Sequence, residues 1–478
     1  MKRSIRHYTK VLAITAGLLT TFQSLAFAKR LVPVDADPAP GKGVTVTVRT
    51  EKGVLAGAQV WIENVDGKLL AEGMTAADGH FTGDISDTVL NSGVSITAHA
   101  THHGAVSFLE NKAHRVMLEL TEIPVDSYST LTGKLTGFKE SDDESKAQLG
   151  LVAKAMEMSD LVQLDSSSFI SPMKDTIDLL GKRNIPSNIV LPDQTFPVYF
   201  IPVHVDKPVF RLPVLEGTSS HYFGVTGAVV VQDAINVIRG SNAWDIINLL
   251  EFQKVGLTAP VPVPAPATGQ MISLDVTTNT AIGDTLKLHP GRNTSSGETK
   301  RLAVALWEPL PGVFVPTDIK QVLADDVSLA TVETRSAKVL DVLIDTNGDH
   351  FRGEWVNKAS AAIPEAGLTA DVTLTGLNNT WMVRGGEDAQ LILGHVEERV
   401  ATSVGGHRYN DRWVVVGPRK TQLRLPAVAY KALLTELGKI SHVSVDLLQL
   451  GHASYPFIKG EISSSELSVL EKVRKEIH

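Results

Sequence analysis

The chain contains no cysteine. Disulfides, thiolate metal sites, a cysteine nucleophile and a lipid-modified cysteine are therefore excluded, and its 478 residues must be held by ordinary packing. Aromatic residues are scarce at 6%, with six tryptophans scattered at 61, 244, 307, 355, 381 and 413. A row of aromatics on one sheet face, the common carbohydrate platform, is not visible, so core positions are the better reading for most of them. No basic tract or basic–aromatic interleaving occurs, which makes nucleic acid and anionic membrane surfaces poor partners by charge. The net charge is −8, or about −12 without four bases near the start, and this acidic balance reads as solubility. No continuous apolar run reaches the roughly 20 residues of a membrane-spanning helix. Missing too are His-Glu-x-x-His, the Gly-x-Ser-x-Gly elbow, a phosphate loop and a Gly-x-Gly-x-x-Gly fingerprint.

What is present begins with an export pattern. Lys2, Arg3, Arg6 and Lys10 precede an apolar stretch from Val11 to Phe22, followed by Ala26-Phe27-Ala28. This is the arrangement of a cleaved secretory signal over 1–28. It places the protein in the periplasm, outside the cell or on its surface, with no transmembrane segment after cleavage. Residues 29–41 are rich in proline and small residues and are expected to form an extended tether.

From Val44 the pattern changes to alternation, with Val44, Val46 and Val48 on one face and Thr45, Thr47 and Arg49 on the other. Short strands separated by turns continue to Leu120, which indicates a β-sandwich. Gly57-Ala58-x-Val60, then Thr75-Ala76-Ala77-Asp78-Gly79-x-Phe81, then Val94-Ser95-Ile96-Thr97-Ala98 resembles the carboxypeptidase regulatory-like (transthyretin-like, Ig-like) sandwich over 42–121. The resemblance implies an accessory module without catalysis, in which Asp78-Gly79 turns the chain and Phe81 enters the core beside Val60 and Ile62.

Residues 122–257 read as a mixed α+β section. Ser141 to Glu144 has capping-box spacing before an Ala/Leu/Met-rich run, predicting a helix to about Met158. Segment 225–232 reads as a buried strand, and Asn242 as the cap of a further helix. Proline at alternate positions from Pro260 to Pro266 predicts a stiff linker over 258–269, with an edge segment inside one domain as the alternative. Residues 270–478 alternate repeatedly and read as a β-sandwich-like domain. A second capping box at Ser463 to Glu466 predicts an amphipathic helix over 464–477, with Leu467, Leu470, Val473 and Ile477 on its apolar face. The fold class expected is mainly β and multidomain.

One stretch poses a question about metal. Asp345, Asn347 and Asp349 carry oxygen ligands at alternating positions, as in a calcium loop, but His350 stands where glycine is required and Val356 where glutamate is. A two-residue Asn347-Gly348 turn accounts for the same stretch without metal. It pairs Ile344 with Phe351, Val342 with Gly353 and Leu340 with Trp355 on one face, and Leu343 with Arg352 and Asp341 with Glu354 on the other. The hairpin is the preferred reading. Calcium stays open because Asp341 opposite Glu354 is a like-charge pair, which Arg352 or a cation could compensate.

Two histidine groupings complete the inventory. His395-Val396-Glu397-Glu398, with His407 nearby, reads as a charged surface strand; His395 and Glu397 share a face and Glu398 points away. His99, His102, His103 and His114 could crowd one edge of the first sandwich, although a zinc set is disfavoured by their positions around a turn. No coherent catalytic set emerges. The expectation is a non-enzymatic binding or scaffolding protein of the bacterial envelope or surface, adhesion included among its roles, with a protein or glycan partner. The alternative is a secreted hydrolase of cell-wall or polysaccharide substrate using dispersed groups among Asp341, Asp345, Glu354, His350 and His395.

Overall fold

A computed structural model describes residues 30–477 apart from 126, 140–142, 144, 158–159, 161–171, 177–189, 193–199, 206–207, 231, 234–235, 237–247, 265–270, 296–298, 324–325, 346–348, 358–361, 364, 375–378, 402–406, 436–439, 452–454, 461 and 463–464. The expected signal over 1–28 lies outside the described residues. The described chain is mainly β, with two helices at Asp87–Asn91 and Ala427–Leu433.

One sheet of 13 strands organises the molecule. From one edge it runs Met156–Glu157, Val313–Gln321, Thr299–Leu310, Lys338–Asp345, His350–Asn357, Leu467–Glu476, His442–Leu450, Leu391–Ala401 and His407–Pro418. It then continues into the N-terminal sandwich through Ala105–Asn111, Val94–His99, Gln59–Asn64 and Leu69–Met74. The two halves join by a parallel pairing that sets Trp413 opposite Ala105 and Val416 opposite Phe108. The units 42–121 and 270–478 therefore share one sheet. Trp413 reinforces the seam by donating its indole N–H to Ser107 Oγ at 2.8 Å.

A second sheet of Val34–Asp37, Arg115–Glu119, Val44–Thr50, Gly53–Val54 and His80–Gly83 completes the first sandwich. Val44, Val46 and Val48 lie in the core with Val60, Ile62 and Ile96, and Phe81 packs half-buried against them. That core is continuous with Leu340, Val342, Leu391, Leu448 and Leu470 of the C-terminal strands. The opposite face packs Trp61, Trp381 and Trp413 against the Ala427–Leu433 helix through Ala429 and Leu433.

The Lys338–Asp345 and His350–Asn357 hairpin has the expected register. Leu340 faces Trp355, Val342 faces Gly353, Ile344 faces Phe351 and Asp341 faces Glu354.

Four expectations are corrected. Residues 31–37 are no tether: Leu31, Val32, Val34 and Ala36 are buried, and Val34–Asp37 pairs with Arg115–Glu119. Burying such valines is worth about 1.5–3 kcal/mol each, which free chain would forgo. The helix from 141 to 158 is replaced by the strand Lys146–Lys154, paired on both sides by Phe200–His204 and Tyr222–Val230. The middle section is thus built of strands, with helical backbone limited to 160, 232–233, 236 and 248–249 among its described residues; most of the helix expected after Asn242 lies outside them. The first half of the proline stretch is an edge segment, since Val261–Pro262 pairs with Ser219–Ser220 and Val263 is buried. Finally, the terminal helix is the strand Leu467–Glu476, set between His350–Asn357 and His442–Leu450. Its side chains face buried groups on both sheet faces, and that demand overrides the helix propensity of its Leu, Glu, Lys and Arg residues.

Candidate functional site

The calcium candidates sit at the hairpin end. Asn347 lies outside the described residues. Asp349 Oδ2 stands 3.5 Å from Lys475 Nζ, and its backbone carbonyl accepts from Arg474 N at 2.7 Å. Asp345 Oδ1 accepts from His350 N at 3.4 Å. The compensation that Asp341 requires comes from a residue the local pattern could not reveal. Arg301, on the neighbouring strand, donates to Asp341 through Nε at 2.9 Å and Nη2 at 2.7 Å, and through Nη1 to the Gly291 carbonyl. Glu354, whose pKa is raised by burial, stays near Arg352 at 3.6 Å.

His350 turns inward. Its Nε2 meets Glu471 Oε1 at 2.7 Å. The same carboxylate accepts from the backbone N–H of Thr369 and of Ala370, from Thr369 Oγ1 and from Arg352 Nη1. Burial pushes the Glu471 pKa up, but these donors outweigh it and hold it at about 2. Glu471 therefore fastens the 366–370 segment to the sheet.

The His395 segment is not a surface strand. His395 and Glu397 are buried with Asp446, Lys472 and Arg474, gathered from three adjacent strands. His395 Nδ1 pairs with Asp411 Oδ1 at 3.0 Å and Nε2 lies 3.1 Å from Asp446 Oδ2. Burial alone lowers the imidazole pKa; Asp411 and Asp446 together reverse this and hold it up at about 9. Arg474 grips both Glu397 oxygens, at 2.8 and 3.1 Å, and Ser444 Oγ donates to one of them at 2.8 Å. Lys472 Nζ stands 3.2 Å from Asp446. Glu398, as expected, points away from this group and is held by Arg412 Nε at 2.9 Å.

Ligand atoms of His395, Glu397 and Asp411 lie within 4.8 Å of one another, a spacing that one cation could bridge. The protein's own cations already fill that role. Three cationic side chains (His395, Lys472 and Arg474) face three carboxylates (Glu397, Asp411 and Asp446) here, so positive charge is already supplied beside each carboxylate. Chemically the cluster is a buried ion network in which cations and carboxylates alternate.

An open site exists elsewhere. A cleft of about 550 Å³ lies between the 101–104 turn, residues 123–125 and Arg412, and is lined by His99, His102 and His103. It sits where the N-terminal sandwich meets the C-terminal strands. The turn is rigidly made: His103 N donates to the Ala100 carbonyl at 3.0 Å, and Ile123 N to the His102 carbonyl at 2.8 Å. His102 holds φ +64, a region that L residues with side chains seldom occupy. Gly104 is required because a Cβ there would come 2.5 Å from the Asp411 carbonyl. Of the expected histidine cluster, His114 is absent from this cleft and bonds the Gly43 carbonyl instead at 2.7 Å. A second cleft, of about 440 Å³, opens beside Arg352, Thr369 and Glu471. Neither cleft is lined by Asp341, Asp345 or Glu354.

The junction cleft was only half legible. The histidine spacing was visible, whereas Arg412 arrives through a parallel pairing about 300 residues away in sequence, for which no local signal exists.

No family model matches the chain, and no curated protein matches it. Among solved structures it is similar to the TIE protein of Bacillus anthracis, at 9% identity and a TM-score of 0.15, over 70% of this chain and 50% of that one. It is also similar to two B repeat units of the collagen-binding protein of Staphylococcus aureus, at 7% identity and 0.14, over 91% and 99%. A pilus adhesin of Lactobacillus rhamnosus aligns at 12% identity and 0.15, over 80% and 44%. The chain spans half the length of the first of these. Superpositions this loose carry neither fold nor function across.

Proposed function

We propose that the protein is an exported, non-enzymatic binding or scaffolding protein of the bacterial cell envelope or surface. The observation that carries this reading is how its reactive side chains are used. Asp341 is neutralised by Arg301 and Glu397 by Arg474, while His395 is wedged between two carboxylates. None is presented to a substrate in either cleft. The accessible polar groups instead line a junction between structural units, where a protein or glycan partner can dock. Export is supported by the basic, apolar and Ala-x-Ala succession in residues 1–28. Among the described residues no helix is long and apolar enough to cross a membrane. The 42–121 unit serves in this reading as an accessory sandwich rather than a catalytic domain.

The test is protease shaving of intact producing cells, together with N-terminal sequencing of the recovered chain. A chain starting at Lys29 and cut while a periplasmic control survives indicates the outer surface. Protection until the envelope is opened indicates the periplasm. Recovery from the cytoplasm with residues 1–28 intact overturns the reading.

A further inference from the structure

Two neighbouring strands of the central sheet carry a buried amine and a buried carboxylate face to face. Asp446, in His442–Leu450, stands directly opposite Lys472, in Leu467–Glu476. On the same face the adjacent pairs are Leu448 with Leu470 and Ser444 with Arg474, and Leu393 flanks Asp446 from the next strand. Lys472 Nζ lies 3.2 Å from Asp446 Oδ1, with the two side chains 3% and 0% exposed.

Asp446 differs from the other buried carboxylates nearby. Glu397 is gripped by Arg474 and Ser444, and Glu471 by the 369–370 segment. The Asp446 oxygens accept no hydrogen bond among the described residues, although Lys472 and His395 stand beside them. The pair rests as ions. Burial pushes the Asp446 pKa up, but Lys472 and His395 outweigh it and hold it low. A buried ion pair bears a desolvation cost that a neutral amide does not, so condensation would relieve it. Amide formation is disfavoured between free groups in water. It becomes accessible where the reactants are held at contact and water is excluded.

We propose that the folded chain links itself here, with Lys472 Nζ and Asp446 Cγ forming an amide and releasing one water. An ammonium proton first passes to Asp446 Oδ1, which frees the amine lone pair. Nζ then attacks Cγ, the N–C bond forms, and negative charge moves to Oδ2. His395 Nε2, 3.1 Å from Oδ2, stabilises that charge. The Oδ1 hydroxyl leaves as water with a second proton from Nζ, relayed by Glu397 Oε1 at 4.0 Å, and the carbonyl re-forms at Oδ2. No oxidant, reductant or cofactor enters. The bond consumes one cation and one carboxylate together, leaving His395 with Asp411 and Arg474 with Glu397. It gives a chain without cysteine a covalent staple across its last two long strands. The proposal goes beyond the binding reading above and does not depend on it.

The experiment is intact-mass spectrometry of the purified full chain, followed by digestion after glutamates. The linked chain should be lighter than the mass of its own sequence by one water, about 18 Da. Cleavage after Glu436, Glu461, Glu471 and Glu476 should then yield one branched peptide that joins 437–461 to 472–476. Lys472→Arg keeps the charge but should restore the full mass and release the two peptides separately. Asp446→Asn should give the same branched peptide by losing ammonia, about 17 Da, in place of water. Full sequence mass in the folded parent, with the two peptides recovered apart, overturns the proposal however the variants fold. A deficit confined to a single peptide, as in a cyclised aspartate, overturns it too.

Discussion

Arg301 and Asp341 meet at 2.7 Å inside the central sheet, with side chains only 4% and 1% exposed. The pair neutralises a carboxylate that would otherwise face Glu354 across the strands. Arg301→Met should therefore destabilise the protein by about 3–5 kcal/mol, because it strands a buried charge. Adding Asp341→Leu should recover most of that loss. Chemical denaturation midpoints check both, and a double variant no better than the single would refute the charge explanation.

Glu471 should give the protein an acid limit. Its folded pKa is depressed to about 2 from the ordinary glutamate value of 4.5, so its stabilising contribution is complete above about pH 4.5. That contribution, about 3 kcal/mol by proton linkage, is lost as the pH falls from 4.5 through 2. Glu471→Gln should flatten the stability profile over this window while lowering stability at neutral pH. Melting temperatures across the acid range provide the measurement.

His395 acts in the opposite direction. Its folded pKa is raised to about 9 from the ordinary histidine value of 6.5, so its contribution is complete below 6.5 and lost as the pH rises through 9. Stability should decline between those values in the parent protein. In His395→Gln the decline should be much reduced, and the variant should be less stable at neutral pH because Asp411 and Asp446 lose their shared cation. An unchanged alkaline profile in the variant would show that the slope arises elsewhere.

Glu63 ties the first sandwich to the Ala427–Leu433 helix. Although it is 1% exposed, both oxygens are satisfied, by Val428 N and Ala429 N at 3.0 Å each. A carboxylate on free N–H groups at a helix start is favourable both as a cap and through the helix dipole. Glu63→Ala should cost about 1–2 kcal/mol, measurable by denaturation. Glu63→Gln should cost less, since one side-chain oxygen still accepts.

The pairing of Lys338–Asp345 with His350–Asn357 was readable from sequence because it is local: the apolar residues on either side of Asn347-Gly348 leave one register that buries them. Arg301 was not readable as its partner, since the Thr299–Leu310 and Lys338–Asp345 strands meet only in the folded sheet. The 467–476 strand was misread for a different reason. Glu471, Lys472 and Arg474 look like a solvated helix face, yet each is buried against a charge supplied by a distant segment. Composition also hid Lys146–Lys154, whose Ala and Leu residues favour helix but lie between two strands. The same limit applies to His395, where charged residue types signal solvent exposure unless their partners are known.

The seam between Ala105–Asn111 and His407–Pro418 also governs when this protein can finish folding. Trp413 and Ser107 are 306 positions apart, and the sheet stays interrupted until both are available. An N-terminal half emerging first presents Ala105–Asn111 as a raw edge, with Phe108 and its neighbours uncovered. Such long-range closure slows folding and prolongs the time during which that edge can pair wrongly. The chain's period of greatest vulnerability is therefore the interval between the appearance of residue 111 and that of residue 418, when a chaperone able to shield one apolar strand would contribute most.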